Sequence, residues 1–157
     1  MEFSSTRSLT IRRTEGGILG NITDMDTSMT PYAAGLGAFV DLDKSDFIDR
    51  SALLQADQGT RLFGVVCAGA VPGRGSVLLD GDIAVGKMTA GVDSPTLGCG
   101  VGYVVFDEPA DWPGRSLQLR LPDGSLHPCE IVTLPFFDPD KHIVRGIDRS
   151  IPQIPTR

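Results

Sequence analysis

The pattern of apolar and polar positions changes character about a third of the way along the chain. From Thr60 onward, short apolar runs follow one another: RLFGVVCAG, SVLLDGDIAVGKM, VGYVVF, SLQLRL and LHPCEIVTL. Glycine, proline and aspartate separate them, and no helical periodicity intervenes. This spacing predicts antiparallel strands of a small barrel or sandwich. Asp80-Gly81 and Asp123-Gly124 sit within two of these stretches, and Asp-Gly tolerates the positive φ of tight hairpin turns. Between Leu78–Met88 and Val101–Phe106 lies a core-poor segment with Gly91, Asp93, Ser94, Pro95, Thr96 and Gly98. It is longer than a plain hairpin needs. Pro95 fixes its own φ and restricts Ser94, which predicts a connection of one defined shape.

The first third carries weaker patterns. Leu9, Ile11 and Ile18 suggest a strand interrupted at Gly16-Gly17, and such a corner brings backbone close to another element or a ligand. Alternation along that strand would place Arg13 and Glu15 on one face with Ile11. Asn21–Thr30 is rich in turn residues. In AAGLGAFVDLD, Leu36, Ala38, Val40 and Leu42 alternate with Gly35, Gly37, Phe39 and Asp41, which again reads as strand. Ser45 has N-cap chemistry, Asp46 suits the first turn, and Phe47, Ile48, Ala52 and Leu53 recur at helical spacing. A helix over Asp46–Gln55 is predicted, linking the first third to the strands. Met1–Ser8 is expected to be mobile, and Phe136–Ile143 with the tail IPQIPTR to form an extended arm over the barrel.

Composition narrows the function classes. With 157 residues the chain suits one domain with its own core, and 19 Gly and 11 Pro against 6% aromatics favour strands and turns over a helical bundle. A net charge of -6 argues against binding nucleic-acid backbone. Arg7, Arg12 and Arg13 still gather locally, which leaves an anion site open. Cys67, Cys99 and Cys129 lack metal-ligand spacing and read as buried free thiols in a reducing compartment. No apolar run is long enough to span a bilayer, and MEFSSTRSLTIRR has no apolar signal region, so no membrane partner and a cytoplasmic location are expected. His127 and His142 have no ligand partners at metal spacing. No nucleophile elbow, phosphate loop or dinucleotide fingerprint is present. Arg13 and Glu15 have two readings, an ordinary exposed ion pair or an arginine fork for a carboxylate ligand.

Several segments together resemble one family, the folate-dependent aminomethyltransferases typified by the glycine cleavage T-protein and its demethylase relatives. They are RTEGGIL with the DMD that follows, TPYAAGLGAFVDLDKSDFIDRSALL, RLFGVV, VGKMTAGVDSPTLGCGVGYV and EIVTLPFFDPDK, in order from Leu9 to Lys141. The resemblance implies a mainly β chain: a C-terminal antiparallel Greek-key β-barrel, preceded by the last strand of an α/β domain and one linking helix. Residues 1–44 would be the tail of the folate-binding α/β domain, 45–58 the linking helix, and 59–157 the barrel with its extended tail. By the same resemblance, Arg13 is the arginine of an R-x-E-x-G motif placed near tetrahydrofolate, and Glu15 is its glutamate, orienting Arg13. Arg74 matches an arginine just before a barrel strand. Asn21 stands where T-proteins commonly have tyrosine, and PFFDPDK looks more like the demethylase relatives.

Two functions are then in view. The first is the C-terminal part of a tetrahydrofolate-dependent one-carbon transferase acting on a small methylated substrate. The family's catalytic aspartate belongs to a first domain with no counterpart in this sequence. Little activity alone, and an N-terminal catalytic chain or domain as partner, are therefore implied. The second is a non-catalytic β-barrel binding or interaction module. A strand cut from its sheet would expose an edge, so self-association through the N-terminal strand is also expected.

Overall fold

The computed structural model describes residues 5–143 and 145–150; the expectations for Met1–Ser4 and for the tail from Ile151 lie outside the described residues. The barrel strands are β1 (Leu62–Cys67), β2 (Val77–Asp80), β3 (Ile83–Ser94), β4 (Cys99–Phe106), β5 (Ser116–Arg120) and β6 (Leu126–Val132). They close in the order β1-β4-β3-β2-β5-β6, every pair antiparallel. The β2-β3-β4 meander with β1 returning beside β4 is the expected Greek key.

Period-two alternation builds the core. In β5, Leu117 and Leu119 are buried between exposed Ser116, Gln118 and Arg120. Val65, Leu78, Met88, Val104, Phe106 and Ile131 complete much of the interior. Trp112 stacks on Phe106 at 4.0 Å between ring centroids, and Arg115 lies over the indole. Burying aromatic area of this kind is the largest apolar contribution available to so small a core. Gly91 and Gly100 leave room for the β1–β2 connection: a Cβ on Gly91 would sit 1.2 Å from the Pro72 carbonyl oxygen, and one on Gly100 2.0 Å from that of Ala70.

Both Asp-Gly hairpins form, with Gly81 at φ +61° and Gly124 at φ +87°. The connection between β3 and β4 differs from expectation. Strand β3 runs on to Ser94, which pairs with Cys99. Only Pro95–Gly98 is left as a short hairpin loop, closed by the Gly98 amide on the Ser94 carbonyl at 2.8 Å.

The N-terminal segment corrects the sequence reading most. Thr6–Glu15 is a helix, α1, not the last strand of a sheet. Its apolar Leu9 is 69% exposed, whereas polar Thr14 and Glu15 are buried, so hydrophobic alternation reported the wrong face. Gly16-Gly17 is the helix stop. The Gly17 amide reaches the Thr14 carbonyl at 3.1 Å and the Ile18 amide reaches that of Arg13 at 2.8 Å. With Gly17 at φ +69°, this is a Schellman cap. Arg12 and Arg13 in the last turn also suit the negative end of the helix dipole. The barrel closes on itself and the expected strand is a helix, so the self-association inferred from an exposed strand edge loses its basis.

Two further elements shift. The segment expected as strand around Leu36–Leu42 holds a 3-10 turn at Gly37–Phe39, with Phe39 86% exposed. The linking helix, α2, is only Arg50–Gln55; Asp49 at φ 67°, not Ser45, precedes it. Arg50 instead ties the chain upstream, donating from Nη2 to the Leu42 carbonyl at 2.7 Å.

Candidate functional site

The outer face of β4 is buried where α1 and the C-terminal segment cover it. Tyr103 is fully buried there, with Phe136 stacked on its ring at 6.1 Å. Its hydroxyl lies 3.0 Å from the carbonyl oxygens of Arg13 and Thr14 and 3.4 Å from that of Ile18. These are carbonyls at the helix end, where intrahelical partners run out. Burial pushes the phenol pKa well up, so the hydroxyl stays a neutral donor at ordinary pH.

This docking fixes the root of Arg13. The side chain is 25% exposed, and its Nη1 donates to Asp24 Oδ2 at 2.8 Å and to the Ile18 carbonyl at 3.2 Å. Asp24 has a fully buried carboxyl group. The loop wraps it: the Gly20 amide donates to Oδ2 at 2.7 Å, and the Asp24 amide returns to the Gly20 carbonyl at 2.9 Å. A Cβ at Gly20 would stand 2.2 Å from Thr23 Oγ1 and 3.2 Å from Asp24 Oδ2, so a larger residue would have to displace the Thr23 side chain beside the carboxylate. The barrel supplies the third donor, Thr89 Oγ1, to Asp24 Oδ1 at 3.0 Å.

Thr89 is available because the β3–β4 register shifts between Met88 and Ala90. A bulge frees one residue from the ladder and re-aims it. Arg74, in the β1–β2 connection, holds the same place from the other side. It donates from Nε to the Thr89 carbonyl at 3.4 Å and from Nη2 to the Thr23 carbonyl at 3.1 Å. A cavity of about 220 Å³ opens beside this cluster, with Thr23, Asp24, Asp26, Arg61 and Thr89 in its wall. The buried Nε of Arg61 has no hydrogen-bond partner among the described residues.

The fold thus brings Arg13 and Arg74 to one polar cluster. Glu15 is not part of it and does not orient Arg13: on a helix, residues two apart face different ways. Its buried carboxylate accepts the Ser94 hydroxyl at 2.5 Å and the Thr96 amide at 3.4 Å, clamping α1 to the β3–β4 hairpin. Asp24, Thr89 and Tyr103 were missed as individuals. Asp24 had a signal, its place in the DMD that follows the helix stop, while a bulge at Thr89 leaves no mark in the local pattern.

Comparison with known proteins places the barrel in a family. Residues 60–138 match the model of the glycine cleavage T-protein C-terminal barrel domain. The chain belongs to the glycine cleavage T-protein family. It is 34% identical to the aminomethyltransferase of Streptomyces coelicolor over 82% of this chain and 37% of that protein. With the aminomethyltransferase of Thermosynechococcus vestitus, identity is 39% over 80% of this chain and 35% of the relative. The chain therefore spans about a third of the length of the curated relatives it matches. Among solved structures, glycine cleavage system aminomethyltransferase T from Bartonella henselae shares the fold. The TM-score is 0.69 at 23% identity, over 82% of this chain and 38% of that one. The matched barrel model begins at residue 60, so the helix and loop that hold Arg13 precede it in this chain.

Proposed function

We propose that this chain is the C-terminal part of a tetrahydrofolate-dependent one-carbon transferase. It would serve a reaction that moves a methyl or aminomethyl-derived unit from a small methylated substrate to the cofactor. The observation that carries this reading is the Arg13 guanidinium, partly open to solvent yet anchored on a buried carboxylate. An arginine so placed offers the planar fork that a carboxylate of folate requires. Arg74 is the second basic group of the same site, and Glu15 supports Arg13 indirectly by holding α1 on the barrel.

The residues present fit one end of such a cofactor rather than all of it. The cavity of about 220 Å³ beside the cluster is smaller than the roughly 300–1,000 Å³ of whole small-molecule sites. Residues 1–44 would then be the tail of a preceding folate-binding domain, and a partner chain or domain would complete the site and supply the general-base carboxylate. On its own the chain would turn over little substrate, and a cytoplasmic location suits a folate enzyme.

Calorimetric titration of tetrahydrofolate into the purified chain, with Arg13→Ala alongside, tests the reading. Micromolar binding that disappears in the variant is the expected result. Absence of heat from both proteins would overturn it and favour the alternative, a barrel module that binds or interacts without folate.

A further inference from the structure

We infer that Asp24 and Thr89 are positioning residues, holding the Arg13 guanidinium so that its Nε–Nη2 edge faces an anionic ligand; the ligand's identity as folate rests on the reading above. Three observations carry this. First, the hydrogen bonds of Arg13 to Asp24 and Ile18 both leave through Nη1. The edge best suited to a bidentate carboxylate contact is therefore outside them, on a side chain 25% exposed. Second, the Asp24 carboxyl group is fully buried. Buried ion pairs add little net stability over apolar packing, because desolvation offsets the attraction. An anchored carboxylate behind a part-exposed arginine does have a use in recognition, since a long side chain otherwise loses its rotamer freedom only when ligand arrives. Third, the barrel gives up ladder register to present Thr89 to Asp24. Arg74 then fixes the backbone on both flanks of the contact, at Thr23 and at Thr89.

Thr89→Val keeps the shape and β-branching of the side chain but removes the donor to Asp24, whereas Thr89→Ser keeps the donor, so only a readout at Arg13 and at the ligand separates positioning from a loss of stability. Thr89→Val, Thr89→Ser and Asp24→Asn are therefore compared in two measurements. One is tetrahydrofolate affinity by calorimetry. The other is hydrogen exchange at the Arg13 Nε–H and Nη–H groups by NMR, read without ligand. The expected results are a roughly tenfold loss of affinity in Thr89→Val and Asp24→Asn, near-full affinity in Thr89→Ser, and faster Arg13 exchange wherever affinity falls. Should Asp24→Asn not fold, the Thr89 pair alone decides, because it leaves Asp24 and Arg13 in place.

Unchanged affinity in Thr89→Val, with Arg13→Ala still abolishing binding, would overturn the positioning role while sparing the folate reading. If the unaltered chain binds no folate, the functional reading fails. The exchange data then stand alone: faster Arg13 exchange in Thr89→Val supports positioning, and equal exchange overturns it.

Discussion

Glu15 is 3% exposed, and a carboxylate so buried needs donors; among the described residues they come from the hairpin between β3 and β4. Ser94 is the centre of that contact: its hydroxyl donates to Glu15 while its oxygen accepts the Leu97 amide at 3.1 Å. Ser94→Ala removes a bond to a charged group and leaves the carboxylate buried with one weaker partner. The expected cost is about 2–3 kcal/mol, read from the urea midpoint. In the double variant Ser94→Ala, Glu15→Leu, where no orphaned charge remains, much of that loss should be recovered. Additive losses would mean that the two side chains do not act on each other. The Arg13–Asp24 pair differs in kind. Its arginine is part-exposed, so its removal is expected to be felt more in binding than in folding.

At the scale of elements, α1 is a short helix held by its end rather than by an apolar stripe. Its buried residues are Thr14 and Glu15, and the Tyr103 hydroxyl caps its last carbonyls. Tyr103→Phe keeps the ring stacked between β4 and Phe136 but removes that donor. A loss of about 1–2 kcal/mol is expected, with amide exchange rising across α1 while β1 and β4 stay protected. Equal deprotection of the barrel would show that helix and barrel unfold as one unit. The same geometry explains what the sequence did and did not disclose. Leu117 and Leu119 alternate with exposed neighbours, and Asp80-Gly81 and Asp123-Gly124 mark their hairpins, so the barrel was legible from Thr60 onward. Helix α1 was not, because the rule that finds helices looks for buried apolar residues and this helix buries polar ones. Arg13 and Arg74 were visible as basic residues in motifs. Their partners were not, since Asp24 and Thr89 lie 65 positions apart and meet only through a bulge. The absent Glu15–Arg13 contact has the same origin, a strand periodicity applied to a helix.

For the whole molecule, the consequence lies in how a closed barrel responds to alkali. Its interior holds Cys67 and Cys129, both buried, and burial raises the Cys129 thiol from its ordinary value of 9.0 to about 12. Tyr103, buried on the outer face, is shifted upward for the same reason. In the unfolded chain Cys129 and Tyr103 lose their protons at ordinary values, whereas the folded chain retains them to higher pH. Between about pH 9 and 12 the native state therefore binds more protons than the unfolded state, and stability must fall as pH rises. Below pH 9 the stabilising difference is fully present and flat. Urea midpoints measured from pH 7 to 11 should hold steady and then decline. Cys129→Ala should start lower, from the cavity it leaves in the core, and decline less steeply. An identical slope in the variant would place the alkaline loss on Tyr103 and the surface groups. Thiol titration gives an independent check at pH 8. Half-buried Cys99 should react with an aromatic disulfide reagent in the native protein, while Cys67 and Cys129 should react only once urea has opened the barrel.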